Sequence, residues 1–100
     1  MLFMIGSFKN DGTEDIFNGS NSKVARKICP ESIWRVAVRK LDQIDSVTSV
    51  DELSVPPGNH LEKLTGDRDG QYSIRINDQY RICFEWLESD AEQVEIVDYH

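Results

Sequence analysis

Two arginines, Arg75 and Arg81, stand in segments where apolar and polar residues alternate. A guanidinium is planar, permanently charged and shaped to grip a phosphate through two parallel N–H donors. Far along the chain comes Asp98-Tyr99-His100. An imidazole accepts and returns a proton near neutral pH, and a carboxylate and a phenol beside it can orient it or its substrate. Each feature also has a plain alternative. The arginines can be neutralised by neighbouring acids such as Glu62 or Glu95, and a terminal histidine can be a frayed end without a task.

Other chemistries find no footing. There is no glycine-rich dinucleotide fingerprint and no Walker loop, and Gly66 and Gly70 flank a turn with two acids, a poor cradle for phosphate. Asp67-Arg68-Asp69-Gly70 is a fragment of a calcium loop without its later ligands. His60 and His100 are too few for zinc. Cys29 and Cys83 lie far apart with no pairing motif, so both are expected reduced. No Ser-His-Asp set can be assembled. The expectation is a protein without cofactor or metal.

The elements that must position these residues belong to a short chain. Its 100 residues are the size of one compact domain, read as a single unit over 1–100. Composition is 39% hydrophobic and 29% charged, ordinary for a globular protein. No run approaches the ~20 apolar residues that span a bilayer. Met1-Leu2-Phe3-Met4-Ile5 is too short for a secretory signal, so a cytoplasmic protein with no membrane contact is expected, and Met4 is an alternative start. The net charge of −7 argues against a generic nucleic-acid binder. Its distribution is uneven. Lys23, Arg26, Lys27, Arg35, Arg39 and Lys40 gather the bases, whereas only acids follow Arg81: Glu85, Glu88, Asp90, Glu92, Glu95 and Asp98.

Residues 3–8 read as a first strand and 13–18 as a short helix, followed by a Gly19-Ser20-Asn21-Ser22 loop. Lys23 to Lys27 reads as a helical turn or as part of the helix that follows. That helix runs from about Pro30 to Ile44, with Trp34, Ala37, Val38, Leu41 and Ile44 as its apolar stripe. Arg35, Arg39 and Lys40 are placed beside the stripe, facing solvent. Pro56 and Pro57 break the pattern, and period two follows. Strands are predicted at 60–64, 71–76, 80–86 and 91–97. Helices followed by an antiparallel meander make an α+β domain with helices on one face of the sheet.

The two central strands allow a sharper inference. Tyr72, Ile74 and Ile76 share the core face with Tyr80, Ile82 and Phe84 only if Ile76 pairs with Tyr80 across a three-residue loop, Asn77-Asp78-Gln79. A one-residue slip would set apolar side chains opposite Arg75 and Arg81. In this register the two arginines are cross-strand neighbours on the other face. Like charges in that position cost up to roughly 1 kcal/mol, so an anion between them is one explanation and nearby acids are the other.

The run from Pro57 to Phe84, with Gly66-Asp67-Arg68 and Asn77-Asp78-Gln79-Tyr80-Arg81-Ile82-Cys83-Phe84, resembles the HigB-type toxins of the RelE-like superfamily, as do Val94-Glu95-Ile96-Val97-Asp98-Tyr99-His100 and the opening Ile5-Gly6-Ser7-Phe8. The resemblance implies a RelE-like fold and a toxin that cleaves mRNA in the ribosomal A site without a metal. It implies a HigA-like helix-turn-helix antitoxin as partner in a hetero-oligomer, with operator DNA met only through that antitoxin. On these residues it implies that Arg81 stabilises phosphate charge, that His100 is the acid or base, and that Asp98 and Tyr99 orient it or touch the nucleotide. Arg75, Lys63, Arg68 and His60 are the implied RNA contacts. Arg35, Arg39 and Lys40 would meet antitoxin or rRNA. Two positions depart from the pattern. Several relatives carry lysine where this chain has Thr65, and relatives often have arginine where it has His60. Both changes remove basic charge and point to weak ribosome affinity or slow cleavage. A toxin homologue that acts mainly as an antitoxin-binding module is the alternative.

Overall fold

The computed structural model describes residues 5–99. Three helices precede a four-stranded antiparallel meander. The helices are α1 (Asp11–Phe17), α2 (Lys23–Ile28) and α3 (Trp34–Ser46), and the strands are β1 (Glu62–Lys63), β2 (Gln71–Arg75), β3 (Tyr80–Leu87) and β4 (Asp90–Asp98), in spatial order β1-β2-β3-β4. The helices cover one face of the sheet, the α+β arrangement expected from the sequence. Ile16, Ala25, Ala37, Leu41 and Ile44 from the helices meet Ile74, Ile82, Phe84, Val94 and Ile96 from the sheet in one buried cluster. None of the helices among the described residues is long and apolar enough to cross a membrane.

The short helices form because their orphan amides are capped. Asn10 Oδ1 accepts from the Thr13 amide at 2.8 Å and Ser22 Oγ from the Ala25 amide at 3.1 Å. Gly12 lets α1 and α2 touch, since a Cβ there would run into the Val24 carbonyl and the Ile28 side chain. The long helix begins later than its proline suggests. Pro30 caps a 3-10 turn over Glu31–Ile33, and α3 starts only at Trp34. Three-residue closure there lets the Trp34 indole donate to the Cys29 carbonyl at 3.0 Å.

Lys40 corrects the sequence reading. The sequence puts it with Arg35 and Arg39 on a solvent-facing surface, but it is buried, and its ammonium donates to Asn59 Oδ1. Ala37, Lys40, Leu41 and Ile44 follow the i, i+3, i+4, i+7 spacing of one helix face, so periodicity prevailed over charge. The cost of burial is met by a partner. Asn59, itself fully buried, is held by the Leu53 carbonyl at 3.0 Å and by Gln43 at 3.0 Å. Desolvation, with Arg39 nearby, lowers the Lys40 pKa.

The opening segment makes isolated parallel bridges to β4, Ile5 to Ala91 and Phe8 to Val94, rather than a regular strand; residues 3 and 4 lie outside the described residues. It occupies part of the outer edge of β4. The next outward amide, that of Ile96, donates to the buried Thr13 Oγ1 at 3.1 Å, so α1 completes the edge. The strand predicted at 60–64 shortens to Glu62–Lys63, because a 3-10 turn over Pro57–Asn59 and a left-handed His60 (φ 46°) occupy its start.

The central hairpin has the register the sequence demands. Arg75 pairs with Arg81 and Ile74 with Ile82, and the Ile76 amide donates to the Tyr80 carbonyl at 2.9 Å. Asn77 closes the turn, its side-chain oxygen accepting from the Gln79 and Tyr80 amides at 2.9 and 2.7 Å. β4 departs from simple alternation. Its register against β3 shifts between Cys83 and Glu85, and Gln93 there has φ 54°. This β-bulge lets Ala91, Val94 and Ile96 all reach the core. It also turns Glu95, Val97 and Tyr99 to the opposite face.

Candidate active site

The face of the sheet away from the helices is not a plain solvent surface. Leu64, Ser73, Cys83 and Glu95 are buried there, although alternation marks Ser73 and Cys83 as outward-facing. The reason is the segment after β1. Leu64 donates its amide to Gln71 at 2.8 Å, the chain turns through Gly66–Arg68, and the Arg68 side chain reaches over the strands to Glu95 at 3.2 Å. Burial pushes the Cys83 thiol up to about 11, with Arg68 opposing the shift, so it is no nucleophile at neutral pH.

Beside this segment lies a cleft of about 360 Å³ lined by Glu62, Lys63, Leu64, Thr65, Asp67, Arg68 and Tyr99. The arginine pair stands next to it. Arg81 Nη1 donates to the Asn77 carbonyl at 3.0 Å, and its guanidinium carbon lies 5.6 Å from the centre of the Tyr99 ring. The buried Arg81 Nε–H has no acceptor among the described residues. A fixed, partly desolvated guanidinium is a candidate anion site, although its uncommitted Nε–H is itself buried.

Arg75 is held differently. It pairs with Asp78, whose side chain is 94% exposed, and such a pair is weak and easily exchanged. Among the described residues neither Glu62 nor Glu95 pairs with either arginine; Glu95 is engaged by Lys9 at 3.3 Å and by Arg68. The charge between Arg75 and Arg81 is therefore not cancelled by the acids the sequence offered.

Tyr99 is placed by the end of β4. Its amide donates to the Gln79 carbonyl at 2.6 Å, which pins the strand end to the turn between β2 and β3. Asp98 pairs with Tyr80 in the ladder and so faces the helix side; its carboxylate accepts from Gln79 Nε2 at 3.0 Å. The structure thus brings Arg75, Arg81, Tyr99 and Arg68 around one face, and turns Asp98 away from Arg81; Lys63 lines the cleft but pairs with Tyr72 in the ladder, so by register it belongs to the helix side. His60 is exposed and does not line the cleft. His100 lies outside the described residues. Thr65 lines the cleft together with Lys63. Arg35 and Arg39 are exposed on α3. Sequence reasoning did not find the cleft roles of Leu64 and Asp67, nor the acceptor at Asn77. A backbone carbonyl leaves no mark in residue identity. Among the described residues no group of three or more His, Cys, Asp or Glu is placed to hold a metal ion.

Comparison with known proteins meets this geometry. Residues 6–100 match the family described as the RelE-like toxin of type II toxin-antitoxin system HigB. A Vibrio cholerae protein named Toxin HigB-1 is 40% identical over 65 residues, 65% of this chain and 68% of that relative. A Haemophilus influenzae protein is 35% identical over 65 residues, 65% of this chain and 64% of its own length. A Proteus vulgaris protein named Endoribonuclease HigB is 33% identical over 97 residues, 97% of this chain and the whole of that relative. With a matching family over nearly its whole length, and an arginine-lined face on an α+β scaffold, this chain belongs to the HigB-like, RelE-like toxins of type II toxin–antitoxin systems.

Proposed function

We propose that this toxin is an endoribonuclease that cleaves mRNA in the A site of the ribosome, and that a HigA-like helix-turn-helix antitoxin neutralises it in the cytoplasm. The observation that carries the reading is the Arg75–Arg81 pair beside Tyr99, with a buried Arg81 Nε–H uncommitted among the described residues. The chemistry has four requirements. A ribose 2′-hydroxyl is aligned with the adjacent phosphate, its proton is accepted, charge on the phosphate is stabilised, and the 5′ oxygen is protonated as it leaves. Arg81 supplies the charge stabilisation. Arg75 joins it by exchanging Asp78 for a phosphate. Tyr99 orients Arg81 and offers a ring to a base, a contact that tolerates any sequence. His100 carries the proton. Asp98 acts through its grip on Gln79 at the turn, and Lys63 and Arg68 contact the RNA backbone from the cleft.

The test is cleavage of ribosome-bound mRNA, mapped by primer extension, for wild type, Arg81→Ala and Arg81→Lys. Arg81→Ala should slow cleavage about a hundredfold or more, as loss of a transition-state donor does. Arg81→Lys should rescue little, because the charge returns without the fork. Equal cleavage by all three would refute the role of Arg81.

A second reading, a weakened toxin that acts mainly through its antitoxin interface, draws on the cleft itself. Thr65 stands where several relatives carry lysine, and Glu62 and Asp67 line the same walls. Growth arrest on expression, abolished by deleting His100, would exclude it.

A further inference from the structure

Glu95 is buried, and the proposed cleavage makes no use of it. It ends a row that crosses the site face of the sheet, Glu62 opposite Ser73, Ser73 opposite Cys83 and Cys83 opposite Glu95. The adjacent row holds Arg75, Arg81 and Val97. Two cations from distant parts of the chain converge on Glu95 Oε2. Lys9 comes from the segment outside β4, at 3.3 Å, and Arg68 from the turn between β1 and β2, at 3.2 Å. The Lys9 side chain is 52% exposed and the Arg68 side chain 33%, against 11% for Glu95. The Lys9 contact is therefore the more screened of the two.

Arg68 is doubly tethered through one nitrogen. Nη1 donates to Gln71 Oε1 at 3.0 Å as well as to Glu95. This leaves the Nε–Nη2 edge, which meets a phosphate with parallel donors, uncommitted among the described residues. Arg68 also lines the cleft, and two of the other lining residues are acids, Glu62 and Asp67. A guanidinium released from Glu95 would turn to either of them and cancel its charge there.

We propose that Glu95 is the positioning residue for Arg68. Its buried carboxylate draws the guanidinium across the sheet, keeps it from Glu62 and Asp67, and aims its free edge at a backbone phosphate of RNA in the cleft. This rests on the ribonuclease reading for the identity of the anion. Glu95 touches no substrate and acts only through Arg68.

Two measurements on the full chain test it. The first follows the arginine Nη–H resonances by low-temperature NMR, since Nη1 is the nitrogen that bonds Glu95. In the wild type the Arg68 signal is expected to be dispersed and slow to exchange; in Glu95→Gln it should move to the position of exposed arginines, while Lys9→Ala leaves it in place. The second is the rate of cleavage against the concentration of ribosome-bound mRNA. Glu95→Gln should raise KM about tenfold, the equivalent of one charge-assisted hydrogen bond, and leave kcat within about twofold. It should add nothing in an Arg68→Ala background. An Arg68 resonance indifferent to Glu95→Gln overturns the proposal. So does a Glu95→Gln defect of full size in the absence of Arg68, which would mark a general structural role. A wild-type chain that cuts no ribosome-bound mRNA refutes the ribonuclease reading instead, and the Arg68 resonance still decides the positioning.

Discussion

At the scale of single residues, side-chain type was informative only where the environment agreed with it. Arg81 reads the same in sequence and in structure, because strand alternation dictates its face and its neighbour. Lys40 does not, because its charge announces a surface while its spacing places it under α3 with Asn59. The two cysteines show the same dependence on surroundings. Burial raises both thiols, Cys29 and Cys83, from 9.0 to about 11, with a hydrogen bond from Trp34 opposing the shift at Cys29 and Arg68 opposing it at Cys83. The native state thus holds these protons more tightly than the unfolded chain does. That contribution is complete below pH 9 and is lost as pH rises through 11. Urea unfolding should show stability falling by a few kcal/mol between pH 9 and about 11, and Cys29→Ala/Cys83→Ala should flatten that limb. An equally steep limb in the double variant would show that other groups cause it. Iodoacetamide should leave both thiols intact in the native protein at neutral pH.

At the scale of elements, the β-bulge in β4 decides the site. Strict alternation puts Ala91, Glu95, Val97 and Tyr99 on one face, and Val94 and Ile96 on the other. With Gln93 inserted in the left-handed region, Ala91 stays in the core, Val94 and Ile96 join it, and Tyr99 comes to Arg81. Gln93→Gly should relieve the backbone penalty of a side chain at positive φ. A gain of up to about 1 kcal/mol is expected in urea unfolding, with cleavage unchanged. Deleting Gln93 should abolish the cooperative transition, since one end of β4 must then turn its apolar side chains outward. A deletion variant that unfolds with the wild-type midpoint would show that the bulge is dispensable.

At the scale of the molecule, charge is segregated. Lys23, Arg26, Lys27, Arg35 and Arg39 are exposed on α2 and α3, while the chain as a whole carries −7. An antitoxin with an acidic segment would find this surface by long-range attraction. Arg35→Glu/Arg39→Glu should weaken the toxin–antitoxin complex about tenfold at low ionic strength, and the difference should shrink as salt is raised toward roughly 0.5 M. Titration calorimetry at two salt concentrations reads this directly. Unchanged affinity would place the antitoxin elsewhere.

Periodicity by itself determined that helices precede an antiparallel meander, the three-residue turn, and the pairing of Arg75 with Arg81, because each follows from which residues must leave water together. Their match to the family was likewise legible along the chain. Tertiary structure alone decided what surrounds that pair. The acids named as neutralisers are committed elsewhere or unpaired with it, the face thought open is partly roofed by Leu64 to Arg68, and the strand end carrying Tyr99 is turned toward Arg81 by a bulge that alternation does not reveal. Contacts between distant segments depend on the geometry of closure, and one left-handed residue is enough to reverse which face a side chain occupies.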